Sequence, residues 1–336
     1  MAENLVEIRN LVKQFPVKGG LLHRQVATVN AVADVNLDIR KGETVGLVGE
    51  SGCGKTTLGR MLVRLLEPTS GTITFDGEDI THLEGPKLKR FRRRMQFIFQ
   101  DPYGSLDPRT QVGDSIAEGL RLHGVDDKDE RHQRVTEMLE LVGLQGAHAG
   151  RYPHEFSGGQ RQRIGSARAL VLKPDLVVAD EPVSALDVSV QAQVLNLLKE
   201  LQSELNLTLL FVAHNLAVVE HISDKVAVMY LGRIVEMTDR DTLYRQPLHP
   251  YTEALLSAIP VPDPDRPKNR QILSGEIPSP LNPPAGCHFH PRCPIAAEGV
   301  CDIEVPQLQA ADGNEFHFAS CHLRTGEYRH LNPQRA

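Results

Sequence analysis

Short apolar runs recur along the chain, and several of them contain almost no polar residue. The runs at 176–180 (LVVAD) and 207–213 (LTLLFVA) show no alternation of apolar and polar positions. Such runs are typical of strands buried on both faces, as in a parallel sheet covered by helices. Stretches with apolar residues at helical spacing, such as residues 190–205, lie between them. The pattern predicts an α/β core with strands at 44–49, 95–99, 176–180, 207–213 and 226–230.

Two segments depart from this pattern. Residues 113–170 contain no convincing strand and are predicted to form a helical insertion. Beyond about residue 240 the composition changes, and residues 260–284 carry eight prolines. Central strands do not accommodate that density of proline. This stretch is therefore predicted to be extended and to lead into a small end that contains cysteine and histidine.

Composition and charge narrow the class of protein. The chain has 336 residues, enough for about two domains, and its 40% hydrophobic and 24% charged residues are ordinary globular values. A net charge of −6 gives no overall positive field that would indicate nucleic acid as the main partner. No apolar run approaches 18 residues, no signal peptide is visible, and five cysteines are too few for a disulfide scaffold. We expect a cytoplasmic protein whose membrane role would come through a partner.

One glycine-rich segment has the spacing G-x-x-x-x-G-K-[ST] of a phosphate-binding loop. It follows an apolar strand and precedes a predicted helix, so its backbone N–H groups and the helix N-terminus can surround phosphate oxygens. Lys55 would reach the β and γ phosphates, and the Thr56 hydroxyl would bind Mg²⁺. The alternative is a glycine-rich turn that binds nothing. The candidate nucleotide-binding residues here are Gly49, Glu50, Ser51, Gly52, Cys53, Gly54, Lys55, Thr56 and Thr57.

A second nucleotide signal is the apolar strand that ends in two acids. Asp180 ends the run where the shell of a Mg²⁺ ion needs a carboxylate, and Glu181 beside it could polarise an attacking water. Alone, such a strand is as often structural as functional. Together with a phosphate loop it becomes a strong indication.

The order of further motifs resembles the ATP-binding cassette (ABC) ATPases. Residues 156–163 (FSGGQRQR) resemble the family's signature sequence, Gln100 its Q-loop glutamine, Ser184 to Asp187 its D-loop, and His214 its switch histidine. The match covers about residues 5–240. A small departure is Phe156, where leucine is commoner.

This resemblance implies a RecA-like core with an antiparallel β subdomain and a helical subdomain at about 100–170. It also implies that ATP is held between two cassettes, because the signature of one would meet the γ-phosphate bound by the other. Glu181 would be the general base, His214 would position the γ-phosphate and water, and Gln100 would act with them. The Mg²⁺ shell would contain Thr56, Gln100 and Asp180. Further ATP-binding candidates are Phe15, Ser157, Gly158, Gly159, Gln160 and Asp187, and Phe15 could instead be an ordinary packed aromatic residue.

Two later segments resemble the C-terminal extension of peptide-importer ATPases, the dipeptide, oligopeptide and nickel group. They are residues 247–260 and 275–294, and residues 13–32 resemble the same group. The predicted division is a nucleotide-binding domain at 1–240 and an extension at 241–336. The resemblance implies a peptide-transport ATPase at the cytoplasmic face of the cell membrane, beneath two membrane-spanning permease subunits. A second, similar ATPase or a second copy would pair with it, and an external binding protein would deliver the peptide.

Other cargoes and classes stay open at this stage. A nickel chelate or an oligosaccharide could replace the peptide. A soluble ABC ATPase acting on nucleic acid or ribosomes is a rival from another class, and an exporter ATPase is a third. The basic run at 87–94 (KLKRFRRR) could be a nucleic-acid patch, but a solvated helical face is the more frequent reason for such a run.

Four of the five cysteines lie near the C-terminus, separated by 5, 7 and 19 residues. This spacing identifies no particular metal, although four thiolates can hold a [4Fe–4S] cluster or tetrahedral zinc. Nearby histidines leave mixed zinc ligation open, and four unliganded thiols are a further alternative. Some peptide-importer ATPases carry an iron–sulfur cluster here, so the resemblance favours [4Fe–4S]. The predicted ligands are Cys287, Cys293, Cys301 and Cys321.

Overall fold

The computed structural model describes residues 3–19, 24–101, 103–260 and 271–332. Its strands are β1 (Asn4–Gly19), β2 (Arg24–Arg40), β3 (Thr44–Val48), β4 (Ser70–Phe75), β5 (Glu78–Asp79), β6 (Met95–Ile98), β7 (Leu176–Asp180), β8 (Thr208–Ala213), β9 (Lys225–Tyr230), β10 (Arg233–Asp239), β11 (Gln309–Ala311) and β12 (Asn314–Ala319). Its α-helices are α1 (Lys55–Leu62), α2 (Gly85–Arg94), α3 (Val112–Leu122), α4 (Lys128–Leu141), α5 (Gly158–Leu170), α6 (Val188–Leu205), α7 (Leu216–Ile222), α8 (Arg240–Arg245) and α9 (Pro250–Ser257). Short 3₁₀ segments occur at Gly146–Gly150, Pro153–Glu155, His290–Arg292 and Arg329–Leu331.

The central sheet contains all five predicted strands as neighbours. Its order is β11-β12-β10-β9-β3-β8-β7-β6, and the pairs from β9 to β6 are parallel. Every residue of β3, β7 and β8 is buried, which explains why these strands show no polar alternation in the sequence. The predicted α/β core is confirmed. Parallel strands place their carboxyl ends at one edge of the sheet, where the candidate acids and the phosphate loop all lie.

A second sheet is antiparallel, with the order β2-β1-β4-β5. Its inward side chains, among them Val6, Ile8 and Ile73, share a buried cluster with Leu58 and Met61 of α1. The sheet is therefore fixed against the helix that follows the phosphate loop. This is the antiparallel subdomain implied by the family resemblance.

The predicted helical insertion contains α3, α4 and α5, and the described residues from 112 to 170 include no strand. Ile116 of α3, Leu139 of α4 and Ile164 of α5 are each fully buried in one cluster that continues beneath β7. The insertion is therefore packed on the core. The basic run forms α2, in which Leu88 and Phe91 are buried while Lys87, Lys89, Arg90, Arg92 and Arg93 are exposed. That is the solvated helical face expected for it.

The C-terminal extension continues the central sheet. β12 pairs antiparallel with β10 and with β11, so residues from both predicted domains hydrogen-bond in one sheet. The boundary at 240 stays a prediction, although the sheet does not end there. Part of the proline-rich stretch falls outside the described residues, and residues 271–284 contain no helix or strand. Within the described part of the chain, no helix is both long enough and apolar enough to cross a membrane.

Candidate nucleotide-binding and hydrolysis site

The phosphate loop connects the end of β3 to the start of α1. Gly54 caps the helix with φ of 110°, a backbone conformation that favours glycine. A Cβ atom at this position would lie 2.1 Å from the carbonyl oxygen of Ala31, so a side chain is also excluded by space. The predicted strand–loop–helix context of the motif is confirmed.

Lys55 is folded back on the loop that precedes it. Its Nζ donates to the carbonyl oxygens of Gly49 at 2.8 Å and Glu50 at 3.0 Å, and the side chain is buried. A phosphate within the loop would offer anionic oxygens to this ammonium group in place of two neutral carbonyls. This geometry agrees with the predicted role of Lys55 as a phosphate ligand, which stays a prediction.

Thr56 and Asp180 meet at the carboxyl edge of the sheet. The Thr56 hydroxyl donates to Oδ1 of Asp180 at 2.9 Å. Burial raises the pKa of the Asp180 carboxyl, and the hydrogen bond from Thr56 only partly offsets this. Paired hard oxygen atoms of this type are suited to Mg²⁺.

Three catalytic candidates, Gln100, Glu181 and His214, meet at the ends of three strands. Nε2 of Gln100, after β6, and Nδ1 of His214, after β8, both lie 3.1 Å from Oε2 of Glu181. The backbone of Glu181 has φ of 44°, and its carbonyl accepts a hydrogen bond of 3.0 Å from the Ser184 hydroxyl. Left-handed backbone is uncommon for glutamate and is concentrated at functional sites.

The signature segment forms the N-terminus of α5. Ser157 is the N-cap, its hydroxyl accepts from the N–H of Gln160, and the Gln160 side chain accepts from the N–H of Ser157. Gly159 passes so close to α6 that a Cβ atom would lie 2.3 Å from Cγ1 of Val190. Asp187 caps α6 and accepts from the N–H of Val190 at 3.1 Å. Among the described residues, no hydrogen bond links Ser157 to the phosphate loop.

The remaining nucleotide candidates lie where the sequence predicted them, without a contact that assigns a role. Phe15 lies on β1 with 37% of its surface exposed, and Nζ of Lys13 is 5.2 Å from its ring centroid. Ser51 and Gly52 are exposed in the loop, Gly158 begins α5, and Thr57 lies in the first turn of α1. Adenine stacking by Phe15 stays a prediction.

Two residues of the extension contact the phosphate loop, and the sequence analysis did not identify either of them as a site residue. The guanidinium group of Arg292 makes paired hydrogen bonds to the Glu50 carboxylate, at 2.9 and 3.1 Å. The backbone N–H of Glu50 donates to Oη of Tyr251 at 2.9 Å. More than 200 residues separate the partners, so no local pattern could reveal these contacts. Both residues do fall within the two segments that resemble the peptide-importer extension.

The four C-terminal cysteines are free thiols that no disulfide joins. Cys287 and Cys293 pack against the main core, and Cys293 also packs against the small cluster that contains Cys321, Ile295 and Leu323. No group of three or more His, Cys, Asp or Glu side chains among the described residues is arranged to hold a metal ion. The predicted metal site is therefore not confirmed.

A groove of about 750 Å³ lies between β6 and the helical insertion. Exposed Phe99 and Leu122 line it, and so does Gln100 of the hydrolysis site. The groove therefore connects an open surface with a residue that contacts Glu181.

Comparison with known proteins identifies two regions. Residues 32–184 match the model of the "ABC transporter" family, and residues 235–301 match that of the "Oligopeptide/dipeptide transporter, C-terminal region".

Full-length relatives cover nearly the whole chain. The oligopeptide transport ATP-binding protein AppF of Bacillus subtilis is 52% identical over 324 residues, 96% of this chain and 98% of the relative. A putative peptide import ATP-binding protein of Brucella ovis is 55% identical over 94% of this chain and 97% of its own length. Among solved structures, the dimeric post-hydrolysis form of the ATP-binding cassette MJ0796 bound to ADP and Pi is 29% identical. It superposes with a TM-score of 0.62 and covers 70% of this chain and 98% of that one.

Proposed function

The chain belongs to the ABC transporter ATP-binding subunits of oligopeptide and dipeptide importers, and from this membership we propose how its residues bind and hydrolyse ATP to energise peptide import. The observation that carries the proposal is the single carboxylate of Glu181 held by both Gln100 and His214 beside the phosphate loop. These contacts bring a carboxylate, an amide and an imidazole together at one edge of the sheet.

Lys55 and the loop amides bind the phosphates, since Lys55 already donates to oxygen atoms on the inner side of the loop. Thr56 and Asp180 fit a Mg²⁺ ion through the hydroxyl–carboxylate pair described above, and Gln100, which lines the same groove as Asp180, is the proposed third ligand. Bound Mg²⁺ supplies positive charge to the phosphate oxygens. A cation beside Asp180 also offsets the effect of burial on that carboxylate.

Glu181 accepts the proton of the attacking water. Gln100 and His214 both contact Oε2, and among the described residues Oε1 has no hydrogen-bond partner. Oε1 is therefore the atom that can accept from water. His214, whose side chain is 54% exposed, orients the carboxylate and can reach a γ-phosphate beside it.

We propose that the groove of about 750 Å³ between β6 and the helical insertion is the surface that contacts the permease subunits. Movement of a permease segment seated against Phe99 and Leu122 would displace Gln100 and so reach Glu181. The proposed assembly also contains two permease subunits, an external peptide-binding protein and a second cassette, which is either a copy of this chain or a paralogue. It places this chain at the cytoplasmic face of the membrane, with no nucleic-acid partner.

The test is purification from detergent-solubilised membranes followed by reconstitution in vesicles. We expect co-purification of multi-spanning subunits, and ATP hydrolysis that rises with peptide and its binding protein. Stimulation by a nickel chelate or an oligosaccharide, but not by peptides, would overturn the peptide assignment. Recovery of a ribosome or DNA complex without any multi-spanning protein would overturn the importer assignment.

Lys55→Ala is the matched negative variant for this experiment. It removes charge-assisted hydrogen bonds worth about 1.5–3 kcal/mol, so ATP affinity should fall about 10- to 100-fold. Titration with a fluorescent ATP analogue measures this directly. Normal affinity in the variant would show that the phosphates bind elsewhere.

We also propose that Cys287, Cys293, Cys301 and Cys321 hold a metal centre, with [4Fe–4S] favoured over zinc. All four thiols are free, the N–H of Cys287 donates to the carbonyl of Cys301 at 2.8 Å, and the neighbouring thiols add to the burial that raises the pKa of Cys287 to about 12. Mutual proximity of buried thiols fits a set of ligands whose charge a metal would neutralise. Iron and labile sulfide should be found in anaerobically purified protein. Zinc alone would support the alternative, and protein free of metal would refute the proposal.

A further inference from the structure

Arg292 and Glu50 form an ion pair that joins the C-terminal extension to the phosphate loop. Both donor nitrogen atoms of the guanidinium fork bind the two carboxylate oxygens, and the Arg292 side chain is 8% exposed and that of Glu50 22%. A bidentate, largely buried pair fixes orientation as well as charge. Burial alone would lower the pKa of Arg292, but the hydrogen bonds to the Glu50 carboxylate outweigh it and raise that pKa, so the guanidinium group stays charged.

An aromatic cluster fixes Arg292 itself. Tyr230, Tyr251 and Phe289 pack with ring centroids 4.8 to 5.5 Å apart, and all three rings are buried. Oη of Tyr230 lies 3.5 Å from Arg292, and Oη of Tyr251 accepts from the Glu50 backbone. The cluster therefore holds both the guanidinium group and the loop residue it contacts.

Glu50 is held both by the extension and by its own loop. Its side chain binds Arg292, its N–H donates to Tyr251, and its carbonyl accepts from Lys55 and from the N–H of Cys53. When Lys55 turns to a phosphate, its bond to that carbonyl is lost. The contacts with Arg292 and Tyr251 do not involve Lys55, so the extension continues to hold this residue.

The charge of Glu50 has a second consequence. A carboxylate on a phosphate loop repels the triphosphate that the loop must bind, and Arg292 neutralises it at a distance of about one hydrogen bond. On the basis of the proposed nucleotide site, we propose that Arg292 is a positioning residue for the phosphate loop. Arg292 acts through Glu50 and so sets the affinity for ATP.

The test is a set of full-length variants titrated with a fluorescent ATP analogue. Arg292→Met retains the bulk of the side chain but leaves the Glu50 carboxylate unpaired, so Kd should rise about 10-fold. Glu50→Gln added to Arg292→Met removes the unpaired charge, and most of the affinity should return. A purely structural role for Arg292 in the extension would not be rescued by a change at Glu50.

Arg324→Met is the matched control. Arg324 forms another ion pair of the extension, with Glu253 at 2.9 Å. Its variant should bind ATP as the unaltered protein does, and circular dichroism with thermal unfolding verifies that every variant is folded.

Four outcomes separate the possible failures. Wild-type affinity in Arg292→Met, or no recovery in the double variant, would overturn the positioning role alone. Loss of affinity in Arg324→Met equal to that in Arg292→Met would also overturn it. Failure of the unaltered protein to bind ATP would instead refute the nucleotide site on which the inference rests.

Discussion

Glu181, the proposed general base, combines a side chain held by two neighbours with a strained backbone. Its carboxylate contacts Gln100 and His214, while its φ of 44° belongs to a region that glutamate rarely adopts. The sequence could indicate an acid after a buried strand, but not that two further side chains converge on one of its oxygens.

Glu181→Gln tests this arrangement. The amide retains size and hydrogen bonding but accepts a proton poorly, so ATP should still bind while hydrolysis falls about 100-fold or more. Phosphate release and nucleotide affinity are measured on the same preparation. Glu204→Gln, the same change on an exposed face of α6, is the control and should hydrolyse ATP normally. Unchanged turnover in Glu181→Gln would remove it from the role of base.

Among secondary-structure elements, α9 helps to attach the extension to the core, as β12 does by pairing with β10. His249 caps it by accepting from the N–H of Tyr251, and the buried carboxylate of Glu236 in β10 accepts from the N–H groups of Leu248 and His249. His317 of β12 lies 2.7 Å from the same carboxylate. Elements far apart in the chain therefore meet at one buried acid.

The stability of this junction should depend on pH. Burial lowers the pKa of His249 to about 4, against an ordinary value of 6.5, although Glu236 opposes the shift. Below pH 6.5 the unfolded chain gains a proton that the folded chain does not take up until about pH 4. The free energy of unfolding should therefore decrease as pH falls through this window, by up to about 3 kcal/mol.

His249→Asn removes the titration but keeps a side chain that can cap α9. Urea unfolding at a series of pH values between 4 and 7 should show a shallower pH dependence in the variant. An identical dependence in both proteins would contradict the assignment to His249. His221→Asn, a change at an exposed histidine, should leave the dependence unaltered.

For the whole molecule, the phosphate loop and the signature segment are not joined by a hydrogen bond among the described residues. The phosphate loop and Glu181 lie at the edge of the sheet, whereas Ser157 at the start of α5 makes its hydrogen bonds within its own helix. A helix N-terminus with free N–H groups suits an anion supplied by another molecule. The second cassette stays a prediction of this geometry.

Ser157→Arg tests the idea that the signature acts on a partner. The arginine side chain is larger than that of serine and positively charged, so it blocks the N-terminus of α5. It does not touch the phosphate loop, so an isolated chain should still bind ATP while hydrolysis falls about 100-fold. Titration and phosphate release separate these two effects. Ser203→Arg places the same charge on an exposed face of α6 and should be silent. Loss of ATP binding in the isolated Ser157→Arg chain would contradict action in trans.

The order of residues within short segments of the sequence was enough to predict the central strands, α6, the helical insertion and the phosphate loop. Strands such as β7 and β8 are apolar because both faces are buried, and the loop needs glycine where φ is positive, so each constraint acts on neighbouring residues. Motif order also placed Gln100, Glu181 and His214 in one site. Only the tertiary structure decided that β12 extends the cassette sheet, that Arg292 and Tyr251 hold Glu50, and that Glu236 anchors α9. These contacts join residues that folding brings together across long stretches of chain, and a pairing of that kind leaves no periodic or local pattern in the sequence.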